Sequence, residues 1–183
     1  MTKDIIVTKR DGTKEPLDLE KMHKVVFYAC EGISGVSASQ VELKSHIQFF
    51  NGIKSEEIQE TLIKAASDLI TEETPNYQWV AGRLINYHLR KMVYNQFTPP
   101  HLSEIARRNV ELGYYDPEFF VSYDTDEIDQ LNSYLNHDRD EDLAFAGMEQ
   151  FRGKYLVQNR VNGDVYESPQ FIFLLVGACL FSK

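Results

Sequence analysis

Cysteine is nearly missing from this sequence. Of 183 residues only Cys30 and Cys179 carry a thiol. They are too few and too far apart for a CxxC pair or a disulfide framework, so a reducing cytoplasm is the expected setting. No long hydrophobic run is present either. The stretch from Phe171 to Phe181 is too short to cross a bilayer and suits a buried helix better, so no membrane role is expected. MTKDIIVTKR lacks the apolar core of a secretory leader. The phosphate loops GxxxxGK[ST] and GxGxxG are absent, which excludes the common nucleotide folds. His23, His46, His88, His101 and His137 show neither HExxH nor paired ligand spacing, so no metal site is expected.

Positive charge is scarce overall, with 19 Lys and Arg against 28 Asp and Glu for a net −9. That balance argues against a nucleic-acid partner, because phosphate neutralisation needs a cationic surface. The scarcity is uneven. Residues 1–95 hold 12 cations against 13 acids, and residues 96–183 hold 7 against 15. The cations for any anion site therefore lie in the first half.

Ile5 to Val7 and Glu15 to Leu17 flank Asp11-Gly12, which predicts a β-hairpin with a type I′ turn. Pro16 marks the second arm as an edge strand. A helix follows, with Asp18 as N-cap and Leu19, Met22, Val25, Val26 and Ala29 on one face, ended by Gly32 and Gly35. Ser37 or Ser39 caps a second helix through Val41, Leu43, Ile47 and Phe50, stopped by Asn51-Gly52. Ser55 caps a third through Ile58, Leu62, Ala65, Ala66 and Leu69. A fourth runs from about 76 to 95, with Val80, Leu84, Tyr87 and Lys91 along one side, closed by Pro99-Pro100.

Beyond this unit, Leu102 to Leu112 and the acidic segment 124–142 read as surface helices. KYLVQNRVNGDVYES reads as a second hairpin turning at Asn162-Gly163. After Pro169 comes a helix that is apolar around its whole circumference and belongs inside something larger. The expectation is a front piece of a longer or split protein, with residues 1–95 as one domain and 96–183 as the start of another.

Two cations, Lys9 and Arg10, adjoin the first turn. Beside a turn such residues serve either as solvated edge charges that block strand pairing or as phosphate ligands. Ser55 at a helix start supplies either a cap or a phosphate seat, since the N-terminal N–H groups and dipole favour an anion. Lys21 and Lys91 are surface lysines or further ligands, and Lys91 lies one turn beyond Tyr87. A triphosphate needs several cations for its tail and an apolar slot for its base, and the first unit contains both residue types. HDRDED at 137–142 reads as a solvated acidic face in preference to a metal site.

VTKRDG, SQVELKSHIQFFNGIKSEEIQETLIKAASDLI, PNYQWVAGRLINYHLRKMVYNQF and GKYLVQNRVNGDVYESPQF closely resemble the N-terminal part of the large subunit of bacterial and phage class I ribonucleoside-diphosphate reductases. The likeness spans all 183 residues. It implies a mainly α fold with small hairpins: an ATP-cone, a hairpin lid over four helices, over residues 1–95. A helical segment over 96–183 would lead into a ten-stranded α/β barrel beyond this sequence. It implies ATP as activator and dATP as inhibitor, bound with magnesium.

By position, the resemblance assigns the triphosphate to Lys9, Arg10, Lys21 and Lys91, with Ser55 at the helix start. Base and sugar fall along Glu15, Pro16, Leu17, Asp18, Leu19, Glu20 and Lys21. Val7, Met22, Ile58 and Tyr87 form walls, and Gln59 lies near the nucleotide. Glu15 and Asp18 read the adenine edge. Close relatives often carry Asn at position 18, His at 59 and Thr at 55, so Asp18 and Gln59 bear on the strength of dATP inhibition. The reductase cysteines have no counterpart here, and Cys30 and Cys179 read as packing residues. Implied partners are the rest of the large subunit as a homodimer, a small radical-generating subunit, and thioredoxin or glutaredoxin. A free-standing nucleotide-sensing module and a helical fragment without a ligand are the competing readings.

Overall fold

The structure, a computed structural model, describes residues 5–9 and 11–181. It divides into two compact units. The first runs to His88 and takes in Asp142–Met148, and the second holds Leu89–Glu141 and the residues from Glu149 onward. The chain is mainly helical with one small antiparallel hairpin.

In the first unit β1 (Ile6–Thr8) pairs with β2 (Lys14–Pro16), placing Ile6 opposite Pro16 and Val7 opposite Glu15. The turn is not the expected two-residue type I′, because the residue that bonds to Thr13 across it is Lys9. Gly12 is left-handed, at φ +83°. Gly12 N–H donates to the Lys9 carbonyl, and Lys9 N–H to that of Thr13. This makes a three-residue loop of the bulged kind. Asp11 Oδ1 fixes it by accepting from Thr13 N and Oγ1.

Four helices follow: α1 (Leu19–Cys30), α2 (Ala38–His46), α3 (Ser55–Ser67) and α4 (Tyr77–Tyr94). Asp18 caps α1 as expected, its Oδ1 accepting from Lys21 N at 2.9 Å. Met22, Val25, Val26 and Ala29 are buried, whereas Leu19 is half exposed. The remaining core includes Val41, Leu62, Ala65, Ala66, Val80, Ala81, Leu84 and Ile85, supplied by the periodic faces of α2, α3 and α4. Tyr77 ties α4 to the start of α2, its hydroxyl donating to Gln40 and accepting from Ser37 N. Asn95, left-handed at φ 57°, ends α4.

Two further expectations fail in this unit. The second helix stops at His46, and Leu43, Ile47 and Phe50 are exposed. Residues 51–54 run instead beside β1: Ile6 N donates to Asn51 Oδ1, Gly52 N to the Ile6 carbonyl, and Thr8 N to that of Ile53. Ser55 is not a cap. It is the first residue of α3, which Lys54 precedes, and the Glu57 carboxylate accepts from Lys54 N at 2.8 Å.

The second unit centres on Leu102, Ile105, Ile128 and Phe171. Its elements include α5 (Leu102–Glu111), α6 (Phe119–Ser122), α7 (Thr125–Ser133), a 3₁₀ turn (His137–Asp142) and α9 (Pro169–Leu180). The helix α8 (Phe145–Gln150), which begins in the first unit, leads into a π-helical turn at Phe151–Tyr155. A capping box starts α7, with Asp124 and Glu127 each accepting the other's N–H.

The acidic run 137–142 is not a solvated face throughout, because Asp140 is fully buried. Its Oδ2 lies 3.3 Å from the buried Arg90 guanidinium, which also donates to the His137 carbonyl. Burial pushes the Asp140 carboxyl up to about 6 against the opposing charge of Arg90. It pushes the His137 imidazole down to about 4, with Arg90 acting in the same direction.

The second hairpin is reduced to a single bridge, Gln158 to Val165. The π-helical turn occupies its first arm, and Glu167 Oε1 accepts the Val157 N–H at 2.8 Å. In α9 Pro169, Phe171 and Ala178 are buried, while Phe173, Val176, Leu180 and Phe181 face outward. Cys179 is exposed and so does not pack in a core. Among the described residues no helix is long and apolar enough to cross a membrane.

Candidate nucleotide site

The hairpin, the start of α1, the start of α3 and the α4 residue Tyr87 converge on one cavity of about 110 Å³ in the first unit. Each wall has a local cause. Strand alternation turns Val7 and its cross-strand neighbour Glu15 to the same face. The Asp18 cap sets the direction of α1, so that Lys21, Met22 and Val25 follow at helical spacing. The pairing of 51–54 with β1 brings the first turn of α3 up to the hairpin, which places Ser55, Ile58 and Gln59 in the lining.

Of the residues singled out by sequence, Val7, Glu15, Pro16, Leu17, Asp18, Lys21, Met22, Ser55, Ile58, Gln59 and Tyr87 line this cavity. Val25 lines it too and was missed, although it lies three residues beyond Met22 on the same helical face. Leu19 and Glu20 lie elsewhere, on a broader groove of about 710 Å³ between α1 and α2 with His23, Glu42, Leu43 and His46. Lys9 is held by Glu15, with Nζ 2.6 Å from Oε2. Lys91 lies on α4 within the second unit, four residues after Tyr87. Arg10 lies outside the described residues.

The chemistry of the smaller cavity is divided. Val7, Met22, Val25 and Ile58 are buried and apolar, and they form a slot for a flat ring. Glu15 and Asp18 offer acceptors. Gln59 Oε1 is buried with no hydrogen-bond partner among the described residues. A buried acceptor left unpaired costs about 1–3 kcal/mol, so a ligand N–H placed there would relieve it. Lys21 and the backbone N–H groups at the start of α3 supply positive potential, against the Glu56 and Glu57 side chains of that first turn. Burial raises the Tyr87 hydroxyl, keeping it neutral. The broader groove carries Glu20, Glu42, Lys24, His23 and His46 among apolar residues. The cavity is smaller than the ~300–1,000 Å³ that encloses a whole ligand, so it suits one end of a longer molecule.

Residues 5–92 match the family described as the ATP cone domain. This stretch of the chain is an ATP-cone. The cone is a nucleotide-binding regulatory module, and the match contains every wall of the cavity above. Over its whole length the chain is 50% identical to ribonucleoside-diphosphate reductase 1 subunit alpha of Escherichia coli K12, covering 24% of that protein. It is 51% identical to the corresponding Salmonella typhimurium LT2 subunit, again over 24% of it. For the alpha subunit of Enterobacteria phage T4 the figure is 37% over 178 residues, which is 96% of this chain and 23% of the relative. The chain thus spans about a quarter of these relatives and corresponds to the N-terminal part of reductase alpha subunits.

Proposed function

We propose that the cone binds ATP or dATP as an effector and sets the activity of a ribonucleoside-diphosphate reductase of which this chain is the regulatory front. The observation that carries the reading is the convergence of hairpin, α1, α3 and Tyr87 on a cavity with apolar walls, acceptors and a cation. In this reading the base lies between Val7, Met22, Ile58 and Tyr87, with Glu15 and Asp18 facing its amine. The triphosphate runs to Lys9, Arg10, Lys21 and Lys91 past the start of α3. Leu19 and Glu20 belong to the same α1 segment as the sugar contacts. Magnesium would arrive on the phosphates, because no group of three acidic, His or Cys side chains among the described residues could hold it.

Residues 1–95 form the effector domain, and 96–183 form a helical segment leading towards the barrel of a cytoplasmic enzyme. Its partners are a second large subunit, a small radical-generating subunit, and thioredoxin or glutaredoxin as reductant. This segment carries none of the chemistry. Burial pushes the Cys30 thiol up to about 11, away from a reactive thiolate. Calorimetric titration of the 183-residue chain with ATP and with dATP, each with magnesium, tests the reading. Saturable heat for both, with each displacing the other, is expected. Absence of heat at millimolar ligand would overturn it.

A further inference from the structure

Lys9 and Glu15 make a direct ion pair on the cavity side of the hairpin. Val7 stands opposite Glu15 in the strand register, and Lys9 follows Val7 by two residues, so all three side chains share one face. Val7 and Glu15 both line the cavity, so this face is turned towards it. The Glu15 carboxylate therefore has two neighbours, the cavity on one side and the Lys9 ammonium 2.6 Å away. The hydrogen bond and charge of Glu15 also raise the Lys9 pKa above its ordinary value.

Resting on the nucleotide reading above, we propose that this ion pair is a latch that makes Glu15 a specificity-determining residue for both ends of the ligand. In the free protein Glu15 holds Lys9. A bound nucleotide exchanges both partners at once: the exocyclic amine of its base donates to Glu15, and its phosphate takes Lys9. No charge is then left without a partner. A phosphate chain without a base meets a cation already neutralised, and opening the latch strands a carboxylate beside an anion. A base with an oxygen in place of the amine, such as hypoxanthine, presents an acceptor to an acceptor and gives no compensation. The latch is weak by construction. Both side chains are about two-fifths exposed, at 41% and 43%, so water screens the pair and a ligand can open it. The effect is several-fold, well short of an absolute block.

The test uses the whole chain with Glu15→Gln, Lys9→Ala and the double substitution, titrated with ATP, ITP and inorganic tripolyphosphate. Glutamine keeps the shape and a carbonyl acceptor but releases the lysine. Tripolyphosphate should bind Glu15→Gln about two- to fivefold more tightly than the unaltered chain. That gain should vanish when Lys9 is already alanine. The preference for ATP over tripolyphosphate and over ITP should narrow in Glu15→Gln. Asp11→Asn, which removes a hairpin carboxylate bonded to Thr13, serves as the control and should give a smaller gain. An equal gain with and without Lys9 would reduce Glu15 to a general repulsive charge and overturn the latch, as would no gain at all. Those outcomes leave ATP binding intact. Failure of the unaltered chain to bind ATP would instead overturn the nucleotide reading, and the latch with it.

Discussion

Lys21 is the cation whose place in the cavity wall follows from its own helix, because the Asp18 cap fixes the first turn of α1. If it contacts phosphate, Lys21→Ala removes a charge-assisted hydrogen bond. ATP affinity should fall about tenfold, the lower end of the range, because the side chain is exposed. Adenosine affinity should stay within about twofold. Lys91→Ala should behave alike if the triphosphate reaches it, and equal loss for adenosine and ATP would point to a collapsed pocket. Gly82 tests packing instead. A Cβ there would sit 2.1 Å from the Leu143 carbonyl oxygen, a backbone atom that cannot swing aside. Gly82→Ala should cost about 1–3 kcal/mol and lower the melting temperature, and an unchanged melting temperature would refute that contact. Asp140 gives a pH signature. Its folded pKa, about 6, lies above the ordinary 3.8, so its contribution to stability is present at low pH and lost as pH rises from about 4 to 6. His137, lowered to about 4, has the opposite sign, contributing above pH 6.5 and losing that as pH falls towards 4. The stability of the unaltered chain minus that of Asp140→Asn should therefore decline between pH 4 and 6 in denaturant titrations. A flat difference would contradict the assignment.

At the scale of elements, the segment 51–54 decides where the α3 wall of the cavity forms, because it ties β1 to the start of α3. Asn51→Ala removes the bond from Ile6 N and should cost about 1 kcal/mol. ATP affinity should weaken with it. Lost stability with unchanged affinity would mean that the strap does not position the site. This strap was invisible in the sequence, since Asn51-Gly52 reads equally well as a helix stop. The four helices were legible because buried residues recur at helical spacing, as Met22, Val25, Val26 and Ala29 do on α1. The apolar letters Ile47 and Phe50 extended the second helix falsely, and Leu43 was wrongly given to its buried face, because periodicity counts apolar residues without knowing which face is covered. Most of the cavity wall was readable through the resemblance. Asp140 was not, because its partner Arg90 lies 50 residues away and charge patterning sees only neighbours.

The whole molecule leaves an apolar side of α9 uncovered, with Leu180 and Phe181 72% and 84% exposed. Beside it a groove of about 420 Å³ is walled by Phe119, Tyr123, Ile172, Leu175 and Val176. Such surface drives association in water. Phe173→Gln with Leu180→Gln should therefore lower the concentration-dependent mass seen in sedimentation, and undiminished association would place the sticky surface elsewhere. The central claim concerns the other unit, where two cavities compete for the ligand: the small one under the hairpin and the broad one between α1 and α2. Backbone amide chemical-shift mapping of the labelled chain during ATP titration separates them directly. The largest shifts should fall on Val7 to Lys9, Glu15 to Met22 and Ser55 to Gln59, with smaller ones around Tyr87. Largest shifts at His23, Glu42, Leu43 and His46, with the hairpin unmoved, would contradict the account.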